Sequence, residues 1–407
     1  MYDWVVLWEW VEIAFRWLHV ITAIAWIGSS FYFIALDLGL HRDRNLVSGA
    51  DGEEWQVHGG GFYHIQKYLV APGSMPDHLV WFKWESYATW LTGFAMLALV
   101  YYLGAEMFLI DPQVMELQVW QAVGISVASL AFGWVAYNTI CKVFVNANQN
   151  LLMLALFGVL VAMAWFYTQV FSGRAAMLHL GAFTASIMSG NVFFVIMPNQ
   201  RVVVADLKAG RKPDPKYGKI AKQRSTHNNY LTLPVIFLML SNHYPLIFAT
   251  DYNWIIASLV FLMGVTIRHW FNTKHARLGN PHWTWGVTVV LFLIIAWLST
   301  NPMRTVPEPE AKLDGSALVY ANAAGFGDVV SIVQGRCSMC HAAEPAWEGL
   351  YWPPKGVVLE TEAQIAHEAR RIALQSGYSH AMPPGNLSYM EPQERQAIVD
   401  WYRSAGG

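Results

Sequence analysis

Residues 282–315 read HWTWGVTVVLFLIIAWLSTNPMRTVPEPEAKLDG. The first part, 282–300, holds no Asp, Glu, Lys or Arg, and then the chain changes character within one residue. A membrane-crossing helix needs about 20 mostly apolar residues, and 282–300 meets that length. Residues 301–315 carry three prolines and several charges and read as a linker. Before this junction, long apolar runs alternate with short polar links; after residue 317 the composition is that of a small soluble domain. Three parts are therefore expected: a transmembrane domain over 1–300, a linker over 301–316 and a C-terminal domain over 317–407.

Working back from the junction, eight runs are long and apolar enough to span: 8–36, 80–104, 117–138, 150–170, 174–198, 229–247, 253–271 and 282–300. None shows the strict two-residue alternation of a lipid-facing barrel strand. The expected fold is all-α, an eight-helix transmembrane bundle followed by a small all-α domain. Composition agrees, because 13% of the 407 residues are charged, against about 25% in soluble proteins. A net charge of −2 argues against a nucleic-acid partner, which calls for a basic surface. Three cysteines, Cys141, Cys337 and Cys340, make no disulfide framework. The start, MYDWVVLWEWVE, is acidic and Trp-rich and lacks the basic region of a cleavable signal.

Charge in the links gives orientation. Those after spans one, three, five and seven hold 14 Lys and Arg, and those after spans two, four and six hold one. Basic links stay in the cytoplasm, so both termini fall on the other side, the periplasm in a bacterial inner membrane. The richest link, Arg201–Arg224, reads as a solvated cytoplasmic loop.

The C-terminal domain carries Cys337-Ser338-Met339-Cys340-His341, a C-x-x-C-H haem attachment motif. Two thiols one helical turn apart add to the two vinyl groups of a porphyrin, and the adjoining His341 turns its imidazole to the iron. A zinc site needs four ligands, and there is no second cysteine pair. A helix-like run at 326–334 precedes the motif and an amphipathic run at 390–405 closes the chain. About 90 residues thus resemble the small c-type cytochrome fold. In that family a late-loop methionine is the second axial ligand, which points to Met382 in His380-Ala381-Met382-Pro383-Pro384, ahead of Met390 or His380. Attachment of haem c on the periplasmic side agrees with the link charges.

One helix would anchor a cytochrome, so eight imply work of their own. Ionisable residues inside spans are functional candidates: Arg16 and His19 in span one, Lys83 and Glu85 as a pair opening span two, His179 in span five, His243 at the end of span six. His19, His179 and His243 fall in the outer half of the bilayer and are candidates for binding one or two b-type haems, with His19 and His179 as axial ligands. A second, inner group comprises His58, His64, His78, His227, His269, His275 and His282. Arg268-His269-Trp270-Phe271-Asn272-Thr273-Lys274-His275 puts Arg268, Asn272 and His275 on one helical face. That set suits a flat heterocyclic anion, with Arg268 and Asn272 binding it and His269 or His275 as base. His58-Gly59-Gly60-Gly61 would let backbone approach a ligand, but no phosphate-loop pattern surrounds it.

Arg16–Gly28 (RWLHVITAIAWIG), His227–Pro234 (HNNYLTLP) and the C-x-x-C-H motif together resemble the bacterial membrane-bound urate oxidase family. The resemblance covers the whole chain. It implies eight membrane helices fused to a cytochrome c, oxidation of urate to 5-hydroxyisourate, and electrons passed on to a respiratory acceptor without peroxide. That acceptor would be a soluble periplasmic cytochrome c or a terminal oxidase. The His19, Trp26, Gly28 pattern is also similar to helix one of a family of membrane protoporphyrinogen oxidases, where the corresponding histidine is associated with haem b. Two other classes compete. A quinol-oxidising or terminal-oxidase subunit of the haem-copper kind would need a His-His pair, and the sequence has none. A transporter or sensor with a tethered cytochrome would show internal repeats, and none is convincing.

Overall fold

The computed structural model describes residues 3–43, 45–68, 72, 76–144, 148–300, 313, 315–348, 350 and 353–406. Of the expected linker, 301–312 and 314 lie outside the described residues. The chain separates into two compact units. One comprises Met1–Ala14, His243–Pro245 and Pro302–Gly407, the other Phe15–Asn242 and Leu246–Asn301.

In the larger unit the elements run α1 (Trp4–Gly39, which starts in the other unit), β1 (Ala50–His58), β2 (Gly61–Tyr68), α2 (Trp84–Met96), α3 (Val119–Val143), α4 (Gln149–Thr168), α5 (Gly173–Gly190), α6 (Met197–Lys208), α7 (Pro215–Ser241), α8 (Asn253–His275) and α9 (Trp283–Thr300). Starts are fixed by local chemistry. The side chains of Asn148, Ser172 and Asp214 each accept a backbone N–H of the helix they open, and Pro215 supplies a first-turn residue that needs no donor. A π-helical turn, Asn191–Ile196, joins α5 to α6 without a break. Another, Leu97–Tyr102, extends α2.

Six helices among the described residues are long and apolar enough to cross a membrane: Trp4–Gly39, Val119–Val143, Gln149–Thr168, Gly173–Lys208, Asn253–His275 and Trp283–Thr300. The other two expected spans differ. Residues 80–104 give a helix of 13 residues that ends in the π-helical turn. Of residues 229–247, those to 241 are the end of the longer α7, whose first half carries Lys216, Lys219, Lys222 and Arg224, and the rest form a turn and the start of a short helix, Pro245–Phe248. Exposed apolar side chains on α1 (Trp10, Trp17, Ile24) and α9 (Val289, Phe292, Trp297) have the character of lipid-facing surface. The chain is thus compatible with a multi-pass membrane protein.

Small residues let these helices approach closely. A Cβ on Gly133 would stand 2.3 Å from the ring of Phe183, and one on Gly264 would stand 2.5 Å from Pro234 inside α7. Tyr167, Phe171, Phe183, Leu180 and Met177 form the buried centre.

The all-α expectation needs one correction. β1 and β2 pair antiparallel from Ala50↔Tyr68 to His58↔Gly61. Gly59 and Gly60, both at positive φ (58° and 79°), are the two-residue turn. That is the turn geometry matching strand twist, so this glycine run makes a hairpin rather than a ligand cradle.

The smaller unit holds α10 (Gly315–Ala321), α11 (Phe326–Arg336), α12 (Glu362–His367) and α13 (Pro392–Ser404). α10 and α11 are bent by 100° to one another. Its core contains Phe326, Val329, Val333, Ile365, Ile398 and Trp401, and also Val5. Trp401 donates its indole N–H to the Tyr320 carbonyl at 2.9 Å. The first turns of α1 are held here by charge as well. Asp3 accepts from the Tyr378 hydroxyl (2.5 Å) and the Arg403 guanidinium (2.8 Å), and Arg370 donates to Glu12 (3.1 Å). Residues 3–14, expected with the membrane part, therefore pack with the C-terminal residues.

Candidate functional site

The C-x-x-C-H stretch follows α11 directly. Cys337 and Cys340 are unpaired thiols, joined by a Cys340 N–H to Cys337 carbonyl bond of 3.1 Å. Burial pushes the Cys337 thiol up to about 11 and raises that of Cys340 as well. The Nδ1–H of His341 donates to the Val357 carbonyl at 2.9 Å. With that nitrogen used, Nε2 is the free ligand atom, the arrangement by which a protein orients a metal-binding histidine. Met382 is half-buried in a loop that Arg395 pins. One Arg395 nitrogen, Nη1, donates to the carbonyls of Ser376 (2.7 Å) and Met382 (2.8 Å), while Nη2 reaches Asn386 (3.2 Å). Met390 is buried in the hydrophobic core and His380 is exposed, which leaves Met382 as the better-placed thioether. Two free thiols, a preset imidazole and a braced methionine are residues that fit a covalently held haem.

His19 also has a preset ring. Its Nδ1 lies 3.1 Å from the Thr89 carbonyl and 3.1 Å from the Thr92 hydroxyl. Gly93 makes room for it, since a Cβ there would stand 2.8 Å from His19 Cε1. His19 thus keeps Nε2 for a ligand. His179 does not. It is fully buried, with Nδ1 on the Ala175 carbonyl and Nε2 on the Ser126 hydroxyl, both at 2.8 Å. Tyr101, Tyr167 and Phe171 enclose its ring. In this packing His179 offers an iron no nitrogen. His243 is exposed in the turn after α7. Lys83 and Glu85, expected as a pair, are separate: Lys83 lies 5.8 Å over the Trp84 ring, and Glu85 Oε2 is buried without a partner.

Arg268 and Asn272 are brought together on α8. Arg268 Nη2 donates to Asn272 Oδ1 at 3.1 Å. Asn229 of α7, to which the sequence alone assigns no role, completes the group. Its Oδ1 accepts from Arg268 Nε (3.3 Å) and Asn272 Nδ2 (2.9 Å). The guanidinium lies 4.0 Å from the ring centroid of Phe31 on α1. No ion pair to Arg268 is formed among the described residues, so a positive charge is buried in an apolar unit without a counter-charge. Asn229 Nδ2 is buried with no acceptor. His275, seven residues after Arg268, is half-buried with Nδ1 also unpartnered. His269 is exposed and lies 3.5 Å from the Tyr230 hydroxyl.

Arg224 was expected in a solvated loop. It is 3% exposed, inside α7. The signal that could have found it is spacing: Arg224 and Asn228 repeat the four-residue interval of Arg268 and Asn272.

A family model described as urate oxidase N-terminal matches residues 5–299. Neither the curated proteins nor the solved structures give a match.

Proposed function

Because the chain belongs to the urate oxidase N-terminal family, we propose that it is a membrane-bound urate oxidase which passes electrons to a respiratory acceptor through its own cytochrome domain. α2 with its π-helical extension and α7 complete eight crossings in this reading. The basic links lie in the cytoplasm, and the termini and cytochrome domain are periplasmic.

The observation that carries the reading is the uncompensated Arg268 with its unsatisfied neighbour Asn229. Urate is a flat monoanion with carbonyl oxygens on its edge. A buried guanidinium without a carboxylate is costly unless an anion arrives, and an orphaned amide N–H wants an acceptor. Urate answers both. Phe31 backs the guanidinium, Arg268 and Asn229 hold the carbonyl edge, and Asn272 keeps the two in register. His275 holds an open Nδ1 for one of the two protons that urate loses; water then adds at C5 to give 5-hydroxyisourate. Haem, covalent at Cys337 and Cys340 with His341 and Met382 as ligands and b-type at His19, supplies one-electron acceptance when bound. α1 carries both Phe31 and His19, about 18 Å apart along its axis. A periplasmic cytochrome c or a terminal oxidase takes the electrons onward.

The test is anaerobic. Urate added to the purified, oxidised protein is expected to reduce its haem absorbance and yield 5-hydroxyisourate. Haem that stays oxidised with urate while a quinol reduces it overturns the reading.

A further inference from the structure

α7 carries two asparagines side by side, and they point into different groups. Asn229 joins Arg268 and Asn272. Asn228 joins a second group around Arg224. Asn191, at the start of the π-helical turn, donates through Nδ2 to Asn228 Oδ1 (2.9 Å) and to the Tyr137 hydroxyl (3.0 Å). Arg224 Nη2 donates to Asn138 Oδ1 at 3.0 Å, and Nη1 reaches Asn191 Oδ1 at 3.5 Å. The guanidinium lies 4.9 Å from the ring centroid of Tyr137.

This group repeats the logic of the first. Each has an arginine, an asparagine four residues on, an asparagine from a neighbouring helix and an aromatic ring against the guanidinium. Neither arginine forms an ion pair among the described residues. Arg224 Nε is buried with no partner at all. A π-helical turn at such a place is a common mark of a functional site.

The hydrogen bonds have a direction. Asn191 donates to the phenol oxygen, which also lies 2.7 Å from His227 Nδ1. His227, Tyr137 and Tyr230 line a cavity of about 60 Å3 whose other walls, including Leu156, Phe157 and Phe261, are apolar. By the usual measure that is room for about four waters; of the group around Arg224, Tyr137 is the member that reaches it. Tyr230 also touches His269, the residue after Arg268, and the two groups meet along the chain at Asn228 and Asn229.

The geometry points to Arg224, with Asn138, Asn191 and Tyr137, as a second anion-binding site that takes the same class of flat monoanion as the Arg268 site. The inference rests on the urate reading of Arg268, and the experiment separates the two. The probe is 8-azaxanthine, a flat purine-like anion, titrated calorimetrically into the full-length holoprotein under anaerobic conditions. Two binding events per chain are expected. Arg268→Met should remove one and Arg224→Met the other. Should Arg224→Met not fold, Arg224→Lys and Asn138→Ala are each expected to weaken one event tenfold or more and leave the other unchanged. A single event, lost only in Arg268→Met, overturns the second site alone. Two events that both survive Arg224→Lys and Asn138→Ala unchanged also overturn it. No event in the unmodified protein overturns both sites.

Discussion

The guanidinium of Arg268 rests 4.0 Å from the ring of Phe31, with no carboxylate paired to it among the described residues. In the proposed reading, this cation, stacked on an aromatic face and edged by two amides, holds the flat anion. Removing the charge should therefore harm the chemistry more than the fold. Arg268→Met is expected to lower kcat/KM for urate by about 10²–10³-fold, the usual cost of losing one donor to a developing oxyanion. Arg268→Lys, which keeps charge but loses the planar fork, should recover part of it. The check is steady-state urate oxidation beside the thermal midpoint. Equal kcat/KM in wild type and Arg268→Met would refute the assignment.

Gly93 gives a selective handle on His19. A methyl group there would press on the imidazole at 2.8 Å, so Gly93→Ala must rotate the ring or shift α1. In the proposed reading b-type haem is lost while the covalent haem stays. A pyridine-haemochrome spectrum separates the two, and full b-type content in Gly93→Ala would count against His19 as a ligand.

Arg395 braces the Met382 loop by hydrogen bonds to two carbonyls. Arg395→Leu should leave those carbonyls buried without donors, at about 1–3 kcal/mol each. In the proposed reading, covalent haem should persist at Cys337 and Cys340, while the absorption signature of a thioether–iron bond fades. An unchanged spectrum would detach Met382 from the iron.

The junction at Asp3 sets a pH expectation. Hydrogen bonds from Tyr378 and Arg403 hold its carboxyl below its usual value of 3.8. A carboxylate lowered by folding contributes fully above its unfolded value and loses that contribution as pH falls through the folded one. Attachment of the N-terminal turns to the C-terminal unit should thus be constant from neutrality down to about pH 5 and weaken only below its ordinary value. Hydrogen exchange at Tyr378 reads this. Asp3→Asn should show the weakened state at neutral pH, and loosening of the unmodified protein already at pH 6 would contradict it.

These sites were unequally legible in the sequence. Cys337, Cys340 and His341 stand within five residues, so local spacing was enough. Arg268 and Asn272 share a helical face, which periodicity also reveals. Phe31 and Asn229 come from α1 and α7, and only tertiary packing brings them to Arg268. Arg224 was hidden by its neighbours: the lysines before it made the stretch read as loop, whereas Asp214 and Pro215 start a helix that carries it inside. The hairpin is hidden because a Gly run such as Gly59–Gly60 serves a ligand cradle and a tight turn equally, and only the pairing of β1 with β2 decides between them. His179 shows the opposite limit: a histidine in an apolar helix stands out in the sequence, while the use of its two nitrogens by Ala175 and Ser126 is visible only in the packing.

The contact of Asp3 with Tyr378 and Arg403 spans 375 and 400 residues of chain. On the ribosome, the first turns of α1 must wait for the last turns of α13 before their partners exist. Loop closure over such a distance adds only a logarithmic entropy cost, but it falls late, after everything between has been made. The N-terminal turns therefore find their partners only once Arg403 has been made, and a chain stalled before it leaves Asp3 and Val5 without the surface they pack on.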